Sequence, residues 1–261
     1  MGQVNLDFKP AVPVFDANAA LGRRHDKRVA VDTADGVIGV MDEAGVERAL
    51  VYAPHASTYD PRDGNALLIE QIGDESRLVP QFVCSPIFNR LNAFADEVAA
   101  AGVRSVRMLP GLHNYPFRDW VVRPWLEWMA DTRTPVWLPI DAPSRTGPLA
   151  IDPRDVYETL KANPGVTGVL CEVKYDDLSW ALSLLRSLPN VYIEISRFVV
   201  TGGIEYLLEA AGEERILFGS RFPDSGMALQ LYSLHHSGLS DTTLRAICAG
   251  NLDRLLTGGQ E

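Results

Sequence analysis

Cysteine is scarce in this sequence, and positive charge is outnumbered. The three cysteines, Cys84, Cys171 and Cys248, are too far apart for a zinc motif and too few for a disulfide framework. We therefore expect three buried, reduced thiols. Lysine and arginine total 24 against 34 aspartate and glutamate residues, which leaves a net charge of −10. An acidic chain of this kind is a poor partner for nucleic acid or for an anionic membrane surface.

Signatures of several other protein classes are missing as well. The chain has neither a Gly-x-Gly-x-x-Gly fingerprint nor a Walker motif, which argues against a nucleotide-binding protein. No apolar run is long enough to cross a bilayer, and the first residues resemble neither a secretion signal nor a myristoylation site. These absences favour a cytoplasmic protein that acts on a small molecule.

The chain does contain a regular alternation of apolar and amphipathic segments. Eight apolar stretches are predicted as strands: 12–16, 49–53, 78–84, 103–109, 135–141, 166–173, 190–196 and 216–220. The predicted helices between and after them include 35–44, 88–101, 120–130, 155–162, 178–188, 204–211 and a final helix at 240–257. Eight such units predict an α/β fold, a (β/α)8 TIM barrel that forms a single domain over residues 1–261.

The end of the eighth predicted strand carries a recognisable motif. Its residues Gly219-Ser220-Arg221-Phe222-Pro223 resemble the Gly-Ser-Asp-x-Pro pattern of the amidohydrolase-related family, metal-dependent hydrolases and decarboxylases that are (β/α)8 barrels. The segments 41–51, 190–196 and 241–256 are similar to that family too, and they occur in the right order. The resemblance thus covers nearly the whole chain and implies a site at the carboxyl ends of the strands.

The resemblance also implies metal ligands at four strand ends, and these have changed. The family has His-x-His at the first strand, His at the fifth and sixth, and Asp at the eighth. The corresponding residues here are Asp16, Asn18, Pro139, Glu172 and Arg221. Because a guanidinium cannot ligate a cation, we expect no metal and no other cofactor. One alternative stays open, a divalent ion held by Asp16, Glu172 and Asp224.

A different set of polar residues remains near the predicted strand ends. The candidate catalytic residues are Asp16, Glu172, Glu194 and Arg221. The candidate substrate-binding residues are Asn18, His55, Arg107, His113, Asp141, Lys174 and Arg197. Since the first and eighth strands of a closed barrel are neighbours, Arg221 is expected to pair with Asp16 or Glu172. Opposite charges in an enclosed pocket shift one another's pKa values, as acid–base catalysis requires.

These residues favour a metal-independent hydrolase of the amidohydrolase-related type. Its substrate would be a small anionic or polyhydroxylated carbonyl compound, lactone-like or carboxylate-like, because Arg107 and Arg221 can hold an anion. A carboxylate would activate water while an arginine stabilises the oxyanion. Two alternatives remain: a decarboxylase-type lyase, and a catalytically silent barrel that serves as a binding or assembly module. The resemblance further allows a homodimer.

Overall fold

The computed structural model describes residues 8–140, 151–200 and 202–258. Within these residues the chain forms two groups of parallel strands, ordered β1-β2-β3 and β4-β5-β6-β7-β8-β9. The strands are β1 (Phe15–Ala20), β2 (Arg48–Tyr52), β3 (Leu78–Pro80), β4 (Phe82–Cys84), β5 (Val106–Met108), β6 (Val136–Pro139), β7 (Gly168–Cys171), β8 (Val191–Glu194) and β9 (Ile216–Leu217).

Strands β3 and β4 are two halves of one barrel strand, which the sequence predicts as 78–84. Pro80 has no N–H to donate, so the ladder is interrupted after it. Gln81 lies in the gap, where its backbone N–H donates to the carbonyl of Val51 at 2.8 Å. The nine short strands of the described chain therefore correspond to the eight strands of the barrel.

The barrel closes where the last strand meets the first. Ala17 donates its N–H to the carbonyl of Phe218 at 2.9 Å, and Ala20 donates to Phe222 at 2.8 Å. Beside them, the backbone N–H of Arg221 donates to the carbonyl of Asn18 at 2.7 Å. Closure of the parallel strands confirms the predicted (β/α)8 fold. The single-domain organisation over residues 1–261 stays a prediction.

The first strand differs from its predicted bounds. The sequence places it at 12–16, whereas β1 runs over Phe15–Ala20. Pro13 cannot donate a ladder hydrogen bond, so pairing begins after it. All six strand residues are buried, although the pairing with β2 is irregular between Asp16 and Ala19. Asn18 therefore lies with Asp16 inside a buried strand and not in the loop beyond the predicted strand.

Helices cover the outside of the barrel. They are α1 (Ala34–Ala44), α2 (Pro54–Thr58), α3 (Pro61–Ile72), α4 (Leu91–Ala100), α5 (Pro110–His113), α6 (Asp119–Thr132), α7 (Pro153–Ala162), α8 (Leu178–Ser187), α9 (Gly203–Ala211), α10 (Ala228–His235), α11 (Asp241–Arg245) and α12 (Asn251–Thr257). A wider turn over Ala246–Gly250 joins α11 to α12. The predicted final helix is thus present, with Ser240 capping its start and Gly258 its end.

A compact apolar cluster joins five of the strands to α12. Phe15, Leu50, Trp137 and Leu217 are buried in it, and the indole N–H of Trp137 donates to the carbonyl of Ala17 at 3.0 Å. The three cysteines are free and buried, as the sequence predicts. None of the helices in the described ranges combines the length and the apolar character that a membrane span needs.

Candidate functional site

Polar side chains meet at the carboxyl ends of the strands, on the face where barrels place their sites. We call this group the strand-end network: Asp16, Asn18, Gln81, Arg107, Glu172, Glu194, Ser196, Ser220 and Arg221. It includes all four residues predicted as catalytic and two of those predicted to bind substrate.

Asn18 links the positive and negative parts of the network. Its side-chain amide donates to Glu194 Oε2 at 2.9 Å, while its Oδ1 accepts from Arg107 Nη2 at 2.7 Å. An amide offers a donor on one side and an acceptor on the other, so one orientation satisfies both partners. Asn18 therefore fixes the distance between a buried carboxyl group and a buried cation.

Arg107 is the central cation and is almost completely buried. Its Nε donates to Gln81 Oε1 at 2.9 Å, and Nη1 lies 3.8 Å from Glu172 Oε1. The guanidinium also packs on the ring of Tyr52, 4.0 Å from the ring centroid. A buried charge requires such compensation, because its desolvation is costly. Its burial makes Arg107 a group that positions others, and it does not provide an open anion site.

Glu194 is fully buried behind Asn18. Its carboxylate accepts hydrogen bonds from the amide of Asn18 and from the backbone N–H and the hydroxyl of Ser196, the last at 3.0 Å. Burial raises the pKa of Glu194 to about 7, although the hydrogen bonds from Ser196 oppose the shift. A carboxyl group that titrates near neutral pH is suited to give or take a proton.

Asp16 has a different set of partners. It accepts hydrogen bonds from the backbone N–H of Ser220 at 2.9 Å, from the Ser220 hydroxyl, and from the N–H of Asn18 at 2.9 Å. Burial raises the pKa of Asp16, and these hydrogen bonds act in the opposite direction. Of the two partners predicted for Arg221, Asp16 is therefore not the one it binds. Asp16 instead holds the turn that follows β9.

Glu172 and Arg221 form an ion pair on the accessible side of the network. Arg221 Nε lies 3.1 Å from Glu172 Oε2, and the side chains are 29% and 11% exposed for Arg221 and Glu172. Both residues have a backbone φ of 61°, a conformation that side chains other than glycine rarely adopt. Strain of this kind persists only where surrounding contacts maintain it, and it often marks functional sites.

Four cations beside this pair form what we call the basic rim: Arg24, Lys27, Arg197 and Arg221. Sequence analysis did not predict this group. Asp224 Oδ1 contacts Arg24 at 2.7 Å and Lys27 at 2.6 Å, while its Oδ2 lies 3.1 Å from Arg221 Nη2. Burial alone would raise the pKa of Asp224, but these cations outweigh it and the net shift is downward. Burial and the nearby charge of Arg221 both lower the pKa of Arg197, another member of the rim.

Other predicted binding residues lie outside the network. His55 Nδ1 is 3.0 Å from His25 Nε2, in a cavity beside the rim. His113 bonds through Nε2 to the carbonyl of Ser57 at 2.9 Å, and burial lowers its pKa. Lys174 is half-buried just after β7. Asp141 is not among the described residues.

Sequence analysis missed two partners of Arg107, Tyr52 and Gln81. Gln81 is the one polar residue in the apolar stretch 78–84, which is a signal that could have identified it. Tyr52 ends β2, on which the sequence analysis placed no site residue. Burial raises the pKa of Tyr52 to about 12, so its hydroxyl stays protonated at neutral pH.

The donor set at these strand ends does not fit a transition metal. Pro139 has no donor side chain, and the oxygens of Asn18 and Glu172 face guanidinium groups. The alternative trio of Asp16, Glu172 and Asp224 is divided among separate partners. Within the part of the chain that the structure describes, no three histidine, cysteine, aspartate or glutamate side chains are grouped to hold an ion.

Solved structures with the same fold include decarboxylases. Dihydroxybenzoic acid decarboxylase from Polaromonas sp. JS666, with manganese and 2-nitroresorcinol bound, has a TM-score of 0.78 at 13% identity, over 96% of this chain and 98% of its own. For 5-carboxyvanillate decarboxylase from Novosphingobium aromaticivorans the TM-score is 0.76 at 10% identity, over 98% and 100%. The Sphingomonas paucimobilis 5-carboxyvanillate decarboxylase gives 0.71 at 13%, over 95% and 99%.

Comparison of the sequence with known families identifies one family. No curated protein matches this chain significantly. The structural similarities, at identities of 10–14%, establish the fold alone. The model of one protein family, described as amidohydrolase, matches residues 16–257. That match runs from the first strand to the last helix, and the chain therefore belongs to the amidohydrolase family.

Proposed function

We propose that this protein is a metal-independent lyase that removes a carboxyl group from a small aromatic carboxylate. One observation carries the proposal: the buried carboxyl group of Glu194, with a pKa near 7, lies directly behind the accessible Glu172–Arg221 pair. The backbone N–H of Glu172 donates to Glu194 Oε2 at 3.4 Å, so the two carboxyl groups are neighbours. This arrangement combines a proton donor with a cation at the accessible edge.

Nonoxidative decarboxylation needs those two elements. The bond between the ring carbon and the carboxylate breaks, its electron pair stays on the ring carbon, and that carbon takes a proton as carbon dioxide leaves. In this proposal Arg221 orients the carboxylate, and Glu172 holds Arg221 in place. Glu194 supplies the proton, which the hydroxyl of Ser196, 3.0 Å away, passes outward. Water then reprotonates Glu194.

The positive charge of the basic rim indicates that the substrate is an anion. Arg24, Lys27 and Arg221 contact Asp224, whose charge also acts on Arg197. With Asp26 beside Arg24 and Glu172 beside Arg221, the group holds four cations and three carboxylates. An excess of positive charge beside a cleft attracts anions even when the whole protein is acidic. The similar structures described as decarboxylases of substituted benzoates support a lyase over the hydrolase that the sequence favoured.

A direct assay tests this proposal. The purified protein is incubated with 2,6-dihydroxybenzoate or 5-carboxyvanillate, and carbon dioxide and the decarboxylated phenol are measured with and without a chelator. We expect release of both products at a rate that the chelator does not change. Loss of activity that manganese restores would contradict metal independence, and turnover of lactones without carbon dioxide would contradict the lyase. No turnover at all would favour the silent-barrel alternative.

A further inference from the structure

A cavity of about 460 Å³ opens beside the strand-end network, at the carboxyl ends of β1 and β2. We call it the rim cavity. Its lining includes Leu21, Arg23, Arg24 and His25 after β1, together with Ala53 and His55 after β2. The volume is sufficient for a substituted benzene ring, since sites for small molecules begin near 300 Å³.

The lining of the rim cavity is apolar in one part and basic in another. Leu67 of α3 also lines the cavity, and its apolar side chain is 38% exposed, so it can contact the face of a ring. Arg24 bonds to Asp26 and Asp224. Arg23 is exposed, and it has no ion pair in the parts of the chain that the structure describes. It is therefore a cation available to an incoming anion.

Two histidines of the rim cavity, which we call the histidine pair, provide one hydrogen-bond donor and one acceptor. His25 Nε2 and His55 Nδ1 lie 3.0 Å apart, and the ring of Tyr59 packs on both, with centroid distances of 5.9 and 4.8 Å. The outer nitrogens, His25 Nδ1 and His55 Nε2, have no hydrogen-bond partner in the described chain. When both rings are neutral, a hydrogen bond between the inner nitrogens leaves one outer nitrogen protonated and the other unprotonated. The pair thus offers one donor and one acceptor.

From these features we infer that the rim cavity binds an aromatic carboxylate with a hydroxyl group next to the carboxylate. Arg23 and the protonated outer nitrogen bind the carboxylate oxygens, and the unprotonated nitrogen accepts the hydrogen of the neighbouring hydroxyl. Leu67 contacts the ring.

The rim cavity is also connected to the strand-end network. Arg24 lines the cavity and bonds to Asp224 at 2.7 Å, and Asp224 in turn holds Arg221 at 3.1 Å. A ligand in the cavity therefore lies one carboxylate away from the proposed catalytic arginine. That such a ligand is the substrate rests on the proposed function, whereas its binding does not.

Binding can be measured without turnover. Isothermal titration of the intact protein with 2,6-dihydroxybenzoate and with benzoate compares ligands that differ only in their hydroxyl groups. We expect the hydroxylated ligand to bind more tightly. Arg23→Ala should weaken both ligands by about fivefold, the usual effect of one charge-assisted contact at a partly exposed site. Arg28→Ala, in the same segment but outside the cavity, is the matched control and should bind like the wild type.

His25→Ala tests the role of the histidine pair, His25 and His55. It should weaken 2,6-dihydroxybenzoate more than benzoate and so reduce the preference between them. Wild-type affinity in both Arg23→Ala and His25→Ala, or an equal loss in Arg28→Ala, would overturn the proposed cavity. If these variants bind weakly but the wild type releases no carbon dioxide, the lyase fails and the cavity stands. If carbon dioxide forms with an unchanged KM in Arg23→Ala, the cavity fails and the lyase stands.

Discussion

Arg221 combines an ion pair with an unfavourable backbone conformation, and the two effects can be separated. Arg221→Ala and Arg221→Gly both remove the contact with Glu172, but only glycine adopts φ near 61° without a Cβ penalty. Urea denaturation should therefore find Arg221→Gly more stable than Arg221→Ala by roughly 1 kcal/mol. Both variants should fold and lose turnover. Equal stabilities would mean that the backbone at this position is not strained.

Glu172→Gln provides the complementary test of the ion pair. It keeps the side-chain size but removes the charge between Arg107 and Arg221. We expect a folded protein whose decarboxylation rate is reduced by at least about tenfold, because Arg221 loses the partner that orients it. Far-UV circular dichroism checks the fold, and the product assay measures the rate. A folded variant with wild-type activity would remove Glu172 from the mechanism.

Glu194 predicts a pH dependence of stability. Its folded-state pKa of about 7 lies above its ordinary value of 4.5, so between these values the folded protein retains a proton that the unfolded chain has lost. The stability that Glu194 contributes is complete below pH 4.5 and is lost as the pH rises to 7. Glu194→Gln lacks this titration, so its stability relative to the wild type should increase across that window. Urea denaturation at several pH values measures both stabilities. If the wild type and Glu194→Gln show the same pH dependence of stability, the pKa of Glu194 is not raised.

The contact between α2 and α3 depends on the absence of a side chain. A Cβ at Gly64 would overlap the backbone nitrogen of Ala56, whereas a Cβ at Gly39 in α1 meets nothing within 4 Å. Gly64→Ala should destabilise the fold by about 1–3 kcal/mol through overpacking. The matched helical change Gly39→Ala should stabilise it by about 0.5–1 kcal/mol. Because α2 carries His55, Gly64→Ala should also weaken ligand binding in the rim cavity.

Periodicity predicted the barrel strands and most of the outer helices, but not every boundary. The apolar stretches identified every barrel strand, because a buried parallel strand is a continuous apolar run. Backbone pairing set the strand boundaries. Because proline donates no hydrogen bond, β1 begins after Pro13, and the strand predicted at 78–84 is interrupted after Pro80. The helices α2, α3, α5 and α10 were not among those predicted.

Sequence analysis named six of the residues that meet at the strand ends, but not all of their contacts. Strand-end position identified Asp16, Glu172, Glu194 and Arg221, because the ends of barrel strands converge. It could not choose which carboxylate Arg221 binds, since that depends on which oxygens Ser220 already occupies. Arg24 and Lys27 were missed because they lie in a loop without periodicity, and they reach Asp224 only in three dimensions.

The folded protein as a whole should be indifferent to divalent metals. A ligand that binds only the native state raises Tm with its concentration, and the strand-end oxygens are already engaged by Arg107, Arg221 and Ser220. Thermal unfolding should therefore occur at the same Tm with manganese, with zinc or with a chelator. A Tm that rises with manganese concentration would contradict this. The homodimer stays a prediction that light scattering can check.

The buried guanidinium of Arg107 also limits how this family member could evolve. Histidines at positions 18 and 172 would remove a hydrogen-bond acceptor and the carboxylate beside Arg107, and a buried charge that loses its counter-ion is strongly destabilising. Replacing Arg107 first would remove the donor to Asn18 Oδ1 and one of the two cations beside Glu172. Single substitutions that introduce metal ligands around Arg107 are therefore expected to destabilise the folded protein, so this buried cation favours the present set of strand-end residues.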